Sequence, residues 1–173
     1  MESEKIFQPK PEKPAILYHA SQAADIERLE PRSVSRREQG GFPAVFASPN
    51  KAIATTFLFP WDDTWVQSGA FDDEPHIVIS DEERFRQVDT GGYVYSLPGD
   101  TFVTDTEKGL GTLEYASDET VETIDSEYFP SALDAMIDAG VKVYFVDKET
   151  FAKICDAPDY GREILASQVP VGR

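Results

Sequence analysis

A histidine stands at the end of an apolar run near the start of the chain. Residues 15–19 read Ala-Ile-Leu-Tyr-His, a short run without helical period that is typical of a buried strand. This strand would deliver His19 to its C-terminal end, where an imidazole can donate or accept a hydrogen bond. A second apolar run, residues 44–47, ends in the same way at the hydroxyl of Ser48. We expect the two strand ends to form the walls of a ligand cleft.

The residues after the second run predict a helix that begins beside this cleft. Ser48 is a candidate N-cap, and Pro49 suits the first helical position. Residues 51–59 would form the body of the helix, which Pro60 would end. The free N–H groups and the positive dipole end at such a helix start favour an anion.

A loop of three arginines lies between the two predicted strands. Arg32, Arg36 and Arg37 fall within six residues of a chain that is otherwise rich in acids. Guanidinium groups match the geometry of phosphate, so Arg36 and Arg37 could clamp a phosphate group. The alternative is a solvated loop with local ion pairs, and the sequence leaves both open.

Acidic residues dominate the charge of the chain. The 32 Asp and Glu residues against 16 Lys and Arg residues give a net charge of −16 and a pI near 4.4. Such a surface repels the phosphates of nucleic acids, so we do not expect a nucleic-acid partner. Three explanations of the acidity stay open: solubility, a saline cytoplasm, or a role in attracting a basic protein partner or imitating nucleic acid.

Length and composition predict one folded domain. The chain has 173 residues, of which 40% are hydrophobic. Residues 1–14 contain three prolines among charges and are expected to form a flexible arm, followed by a single domain over residues 15–173. Cys155 is the only cysteine, which excludes an intrachain disulfide and fits the cytoplasm. No apolar run approaches the roughly 20 residues that span a membrane, so no membrane association is expected.

The order of predicted elements indicates an α+β fold. Short apolar or alternating runs outnumber the helical ones, which favours a mixed, mainly antiparallel sheet around a central cleft, with a few short helices. Residues 61–75 combine two tryptophans with acidic pairs and predict a long loop that acts as a mobile flap over the cleft. Their acids lack the spacing of a calcium loop, so no metal site is predicted.

Two short motifs resemble the N-terminal half of a known superfamily. Tyr18-His19-Ala20-Ser21, followed by a basic loop and then Val45-Phe46-Ala47-Ser48 opening a helix, resembles the ADP-ribosyltransferase-like superfamily. That superfamily includes the rifampicin ADP-ribosyltransferases and the RNA 2′-phosphotransferases. The resemblance implies a transferase that binds NAD or a related nucleotide.

The resemblance also implies roles for individual residues. His19 would hydrogen-bond the ribose of NAD, and Ser21 would contact the amide of the nicotinamide. Phe46 falls near the tyrosine that stacks on nicotinamide in the superfamily, though it lacks the hydroxyl group. Ser48 would be the small polar residue at the helix start. Glu114 would be the late acid that orients the ribose and stabilises positive charge as nicotinamide leaves.

Each of these residues also has a structural interpretation. Without the resemblance, His19 is a hydrogen-bonding strand residue, Phe46 belongs to the core, and Glu114 is a surface acid. His76, the other histidine, is expected to be structural. Two functions therefore remain: an ADP-ribosyl-transferring domain, and a non-catalytic acidic binding or accessory module with the same fold. Fold analogy alone does not separate them.

Overall fold

The computed structural model describes residues 14–31, 33–34, 43–103 and 114–172 of the chain. The strands in these ranges are β1 (Ile16–Ser21), β2 (Arg28–Leu29), β3 (Ser33–Val34), β4 (Pro43–Ala47), β5 (Val66–Phe71), β6 (Glu74–Ile79), β7 (Gly92–Pro98), β8 (Tyr115–Ser117), β9 (Val121–Glu122), β10 (Asp125–Phe129) and β11 (Lys142–Phe145). The helices are α1 (Lys51–Thr55), α2 (Glu82–Val88), α3 (Ala132–Ala139), α4 (Lys148–Asp156) and α5 (Arg162–Ala166). No helix in these ranges has the length and apolar character needed to cross a bilayer.

The strand that carries His19 lies at one edge of an antiparallel sheet of three strands, in the order β1-β7-β10. Cross-strand partners share a face of a sheet, so the register gives the composition of each face. His19 pairs with Tyr95, and the buried residues Leu17 and Leu97 pair with each other on the same face. The opposite face contributes Val94 to the main core.

A second sheet, β3-β4-β8, meets the first one along the free edge of β1. A two-residue bridge joins β1 to the end of β4: the Tyr18 N–H donates to the Ser48 carbonyl at 2.8 Å, and the Ser48 N–H donates to the Tyr18 carbonyl at 2.9 Å. The two predicted strand ends are therefore neighbours. Val45 and Ala47 pack with Leu17 in the second core, which holds the two sheets together.

Residues 61–75 do not form the predicted long loop. Strands β5 and β6 make an antiparallel hairpin. Asp72 and Asp73 at its turn both have positive φ, of 52° and 65°, as a type I′ turn requires. Trp65, just before the hairpin, is 4% exposed and lies in the main core. A paired hairpin that follows a core residue thus replaces the expected mobile flap.

The third sheet contains the one parallel pair of strands found in the described ranges. Its order is β11-β6-β5, with β6 parallel to β11 and antiparallel to β5. Every other strand pair in the described ranges is antiparallel. Because α2 follows β6 directly and α4 follows β11 directly, both helices begin at the carboxyl edge of this sheet.

Local signals set the ends of two helices. Helix α3 begins after the N-cap Ser131 and ends at Gly140, whose φ of 93° only glycine adopts without strain. Helix α1 is shorter than the predicted span of 51–59. The hydroxyls of Thr55 and Thr56 donate to backbone carbonyls three residues earlier, which competes with helical hydrogen bonding, and the chain continues in turns.

The predicted α+β class is confirmed. Short helices cover several small, mainly antiparallel sheets, and the described residues form two large hydrophobic clusters and two smaller ones. The predicted arm, residues 1–14, lies outside the described residues except for Pro14.

Candidate functional site

His19 is half-buried, and its ring is tied to the neighbouring strand. Its Nδ1 lies 2.7 Å from the carbonyl oxygen of Phe46. Because a carbonyl oxygen can only accept, Nδ1 carries the proton in this bond. Burial lowers the pKa of His19, an effect that the bond to Phe46 opposes in part. At neutral pH the ring is therefore neutral, and the lone pair on Nε2 can accept a hydrogen bond from a ligand hydroxyl.

Ser48 lies beside His19, but it is not the helix cap. Its side chain is buried, and its Oγ accepts from the Asn50 N–H at 3.1 Å. The N-cap of α1 is Asn50, whose Oδ1 accepts from the Ala52 N–H at 2.9 Å. Asparagine caps as well as serine, and the local turn at Ser48 delays the helix by two residues. The expectation that Ser48 opens the helix is therefore wrong.

Glu114 lies just before strand β8, which pairs with β4. Tyr115, the first residue of β8, pairs with Ala47 at the end of β4. Continuing this antiparallel register by one residue brings the backbone of Glu114 opposite Ser48. The side chain of Glu114 is half-buried and already interacts within the fold. We call the junction of β1, β4 and β8, whose backbone carries His19, Ser48 and Glu114, the three-strand seam. The register places Ser48 and Glu114 on the face of Tyr18, and His19 on the other face.

The remaining predicted residues are less closely gathered. Ser21 ends β1 two residues beyond His19 on the same face, and its Oγ accepts from the Ala23 N–H at 3.1 Å. The Phe46 ring packs with Ala44 and Ala116, while its carbonyl oxygen contacts His19. The stacking role of the ring remains a prediction. Arg36 and Arg37 lie outside the described residues.

Tyrosines on β7 and β10 form an aromatic cluster. Tyr93 lies 5.0 Å from Tyr128 and 6.1 Å from Tyr95, between ring centroids. The Tyr95 hydroxyl donates to the Ala23 carbonyl at 2.6 Å and accepts from the Ile26 N–H at 3.3 Å. Alternation along β7 places Tyr93 and Tyr95 on one face, but only the pairing of β7 with β1 places Tyr95 opposite His19.

An open cavity lies beside Tyr95. Its volume is about 440 Å³, within the range of small-ligand sites, and its walls are residues 25–27, Tyr95 and residues 123–126. Asp25, Glu27 and Asp125 make these walls acidic.

Comparison with known proteins adds no relative: the chain matches no protein-family model, no curated protein and no solved structure.

Proposed function

We propose that the chain binds NAD or a related nucleotide at the three-strand seam and transfers ADP-ribose from it. The observation that carries the proposal is the state of His19. Its Nδ1–H is used by the Phe46 carbonyl, so the neutral ring offers Nε2 as an acceptor of fixed orientation. A ribose hydroxyl is a donor of the kind that such an acceptor recognises.

Glu114 supplies the second element of the proposal. In the transfer, the bond between nicotinamide and the anomeric carbon of the ribose breaks, and nicotinamide leaves with the electron pair. Positive charge develops on the anomeric carbon until a nucleophile of the acceptor bonds to it and loses a proton. A carboxylate close to this carbon stabilises the developing charge. Glu114, whose backbone lies opposite Ser48 in the register, is the acid to which the proposal assigns this role.

A second candidate function is a non-catalytic binding module with the same fold. The observation that favours it is the burial of Ser48, which is only 5% exposed and already accepts a hydrogen bond from Asn50. In this function the seam would hold a ligand through His19 without supporting transfer.

The binding test uses two substitutions of His19, each of which places an amide group near the position of one ring nitrogen. The His19→Asn side chain keeps a donor near the Nδ1 position and removes the Nε2 acceptor, whereas His19→Gln reaches the Nε2 position. Calorimetric titration with NAD should show binding weakened by about 1–3 kcal/mol in His19→Asn, because a ligand hydroxyl loses its partner. His19→Gln should retain more affinity. No binding of NAD to the native chain at about 1 mM would refute the proposal.

The catalytic test compares Glu114→Gln with Glu119→Gln, a matched change at an exposed position beyond β8. Glu114→Gln should leave NAD binding nearly intact and slow transfer or NAD hydrolysis by about 10²-fold or more, the usual scale for one electrostatic stabiliser. Glu119→Gln should change neither. If NAD binds but neither transfer nor hydrolysis occurs, the binding module is the correct function.

A further inference from the structure

We propose a second ligand site, for a small organic monoanion such as a carboxylate with an apolar body, in the cavity between α2 and α4. It is independent of the three-strand seam. The cavity lies at the carboxyl edge of the parallel strands β6 and β11, where each strand leads directly into a helix. Its volume is about 570 Å³, which suits a small molecule. Crevices outside the carboxyl ends of parallel strands are the usual ligand sites of such sheets.

The charges of the cavity wall indicate an anion. Five of the eight basic residues within the described ranges form ion pairs with acids, and the other three, Arg28, Arg84 and Lys148, form none there. Arg84 and Lys148 both line this cavity. In a chain with a net charge of −16, two cations without an ion pair among the described residues offset the two acids, Asp81 and Asp156, that line the same cavity.

Arg84 is also held in position. Its guanidinium carbon lies 4.3 Å from the centroid of the Trp65 ring, a contact that fixes the guanidinium plane at the cavity wall. Trp65 itself is buried, and its Nε1–H has no hydrogen-bond partner among the described residues.

The acids of the cavity limit the ligand to a single negative charge. The Asp81 carboxylate caps α2 by accepting from the Arg84 N–H at 3.0 Å, so the helix start already uses its charge. Asp156 lies at the other end of α4 from Lys148, about 12 Å along the helix axis. A dianion such as phosphate would be repelled by both acids, whereas a carboxylate near Arg84 and Lys148 meets the fork geometry of arginine.

The middle of the cavity, between Lys148 and Asp156, accepts an apolar group. Phe151 and Ala152 of α4 line the middle of the cavity, and Cys155 lies further along the same helix. Residues 148, 152 and 155 follow the spacing of one helix face. The ligand would therefore lie along α4, with its carboxylate toward Lys148 and its apolar body toward Cys155.

Cys155 gives a direct readout, because it is the only cysteine of the chain and it lines the cavity. Burial and the nearby acids Asp156 and Asp63 raise the pKa of its thiol, so maleimide labelling is followed at alkaline pH. The probes are 3-phenylpropionate, its neutral amide, and inorganic phosphate. We expect 3-phenylpropionate to slow labelling at about 10 mM, which saturates a site with a Kd of about 1 mM. The amide and phosphate should protect at least tenfold less well.

Matched variants on the same two helices complete the test. Arg84→Gln and Lys148→Gln should each weaken protection by about tenfold, the scale of a lost charge-assisted hydrogen bond. The controls Arg86→Gln and Lys153→Gln remove the same charge from solvent-exposed pairs and should change protection by less than about twofold. Three results would overturn the proposal: no protection by 3-phenylpropionate, equal protection by the amide or phosphate, or equal weakening in the control variants. Thermal unfolding of each variant checks that it is folded.

Discussion

Acid should destabilise the fold through His76. Its side chain is only 3% exposed on the central strand of the β11-β6-β5 sheet, and its ring stacks on Phe71 at a centroid distance of 4.3 Å. Neither ring nitrogen has a hydrogen-bond partner among the described residues. The neighbouring cation Lys142 is paired with Glu74.

The size of the effect follows from the pKa of His76. Burial lowers this pKa from 6.5 to about 4. The unfolded chain therefore binds the proton more tightly than the native chain, and acid favours unfolding. The contribution of neutral His76 is complete above pH 6.5 and is lost as the pH falls toward 4. The gap of about 2.5 pH units corresponds to at most about 3 kcal/mol in the free energy of unfolding.

The assay compares urea unfolding of the native chain with that of His76→Leu from pH 7 to pH 4. Leucine is close in size, does not titrate and leaves no unpaired nitrogen, so the variant should be at least as stable at pH 7. The carboxylates and His19 titrate in both proteins and cancel in the difference. We expect the native chain to lose up to about 3 kcal/mol relative to the variant over this range. A difference that stays constant with pH would refute the reasoning.

Two further predictions concern backbone geometry. Asp89 accepts hydrogen bonds from two N–H groups in the first turn of α3, at 2.7 and 3.1 Å. Asp89→Ala should therefore lower the free energy of unfolding, measured with urea, by about 1–2 kcal/mol. The control Asp118→Ala, at an exposed position, should lower it little. Gly140 and Gly161 both have positive φ, but a Cβ at Gly161 would lie 2.4 Å from Ile154 and one at Gly140 would meet nothing within 4 Å. Gly140→Ala should therefore cost about 1–2 kcal/mol and Gly161→Ala clearly more; equal costs would contradict the steric argument.

Elements with strong local signals could be predicted from the sequence. The run that ends at His19 became β1, and the serine and glycine around residues 131–140 became the caps of α3. In these segments apolar period, cap and turn chemistry agree, so local preference and tertiary packing favour the same structure.

The hairpin of residues 66–79 shows where local signals fail. Its first strand reads Val-Gln-Ser-Gly-Ala-Phe, in which small residues replace the β-branched and aromatic residues typical of strands. A Cβ at Gly69 would lie 3.1 Å from the His76 ring of the neighbouring strand, so the ring would have to shift slightly to admit any other residue. Such a contact exists only in the folded pair of strands and leaves no periodic pattern.

The candidate site was predictable in part. Two runs that end in His19 and Ser48 suggested adjacent strand ends, and the Tyr18–Ser48 bridge confirms that they are neighbours. The cap at Asn50 was missed because Ser48 and Asn50 are equally good N-caps, and only the backbone decides between them. The place of Tyr95 opposite His19 depends on a pairing between residues more than seventy positions apart.

Burial keeps both histidines of the chain neutral at neutral pH. Their hydrogen bonds differ, so protonation of each has a different effect. His19 donates through Nδ1 to a carbonyl, which sets its tautomer and keeps Nε2 as an acceptor. Among the described residues, His76 has no hydrogen-bond partner for either nitrogen. Burial alone therefore keeps it neutral, and the fold loses stability when the pH falls. Acid should therefore affect this protein in two separable ways. Protonation of His19 removes the proposed ligand acceptor, whereas protonation of His76 weakens the sheet β11-β6-β5. Because His76→Leu removes only the second effect, NAD binding measured in that variant as a function of pH would report on the proposed site without the loss of stability that His76 causes.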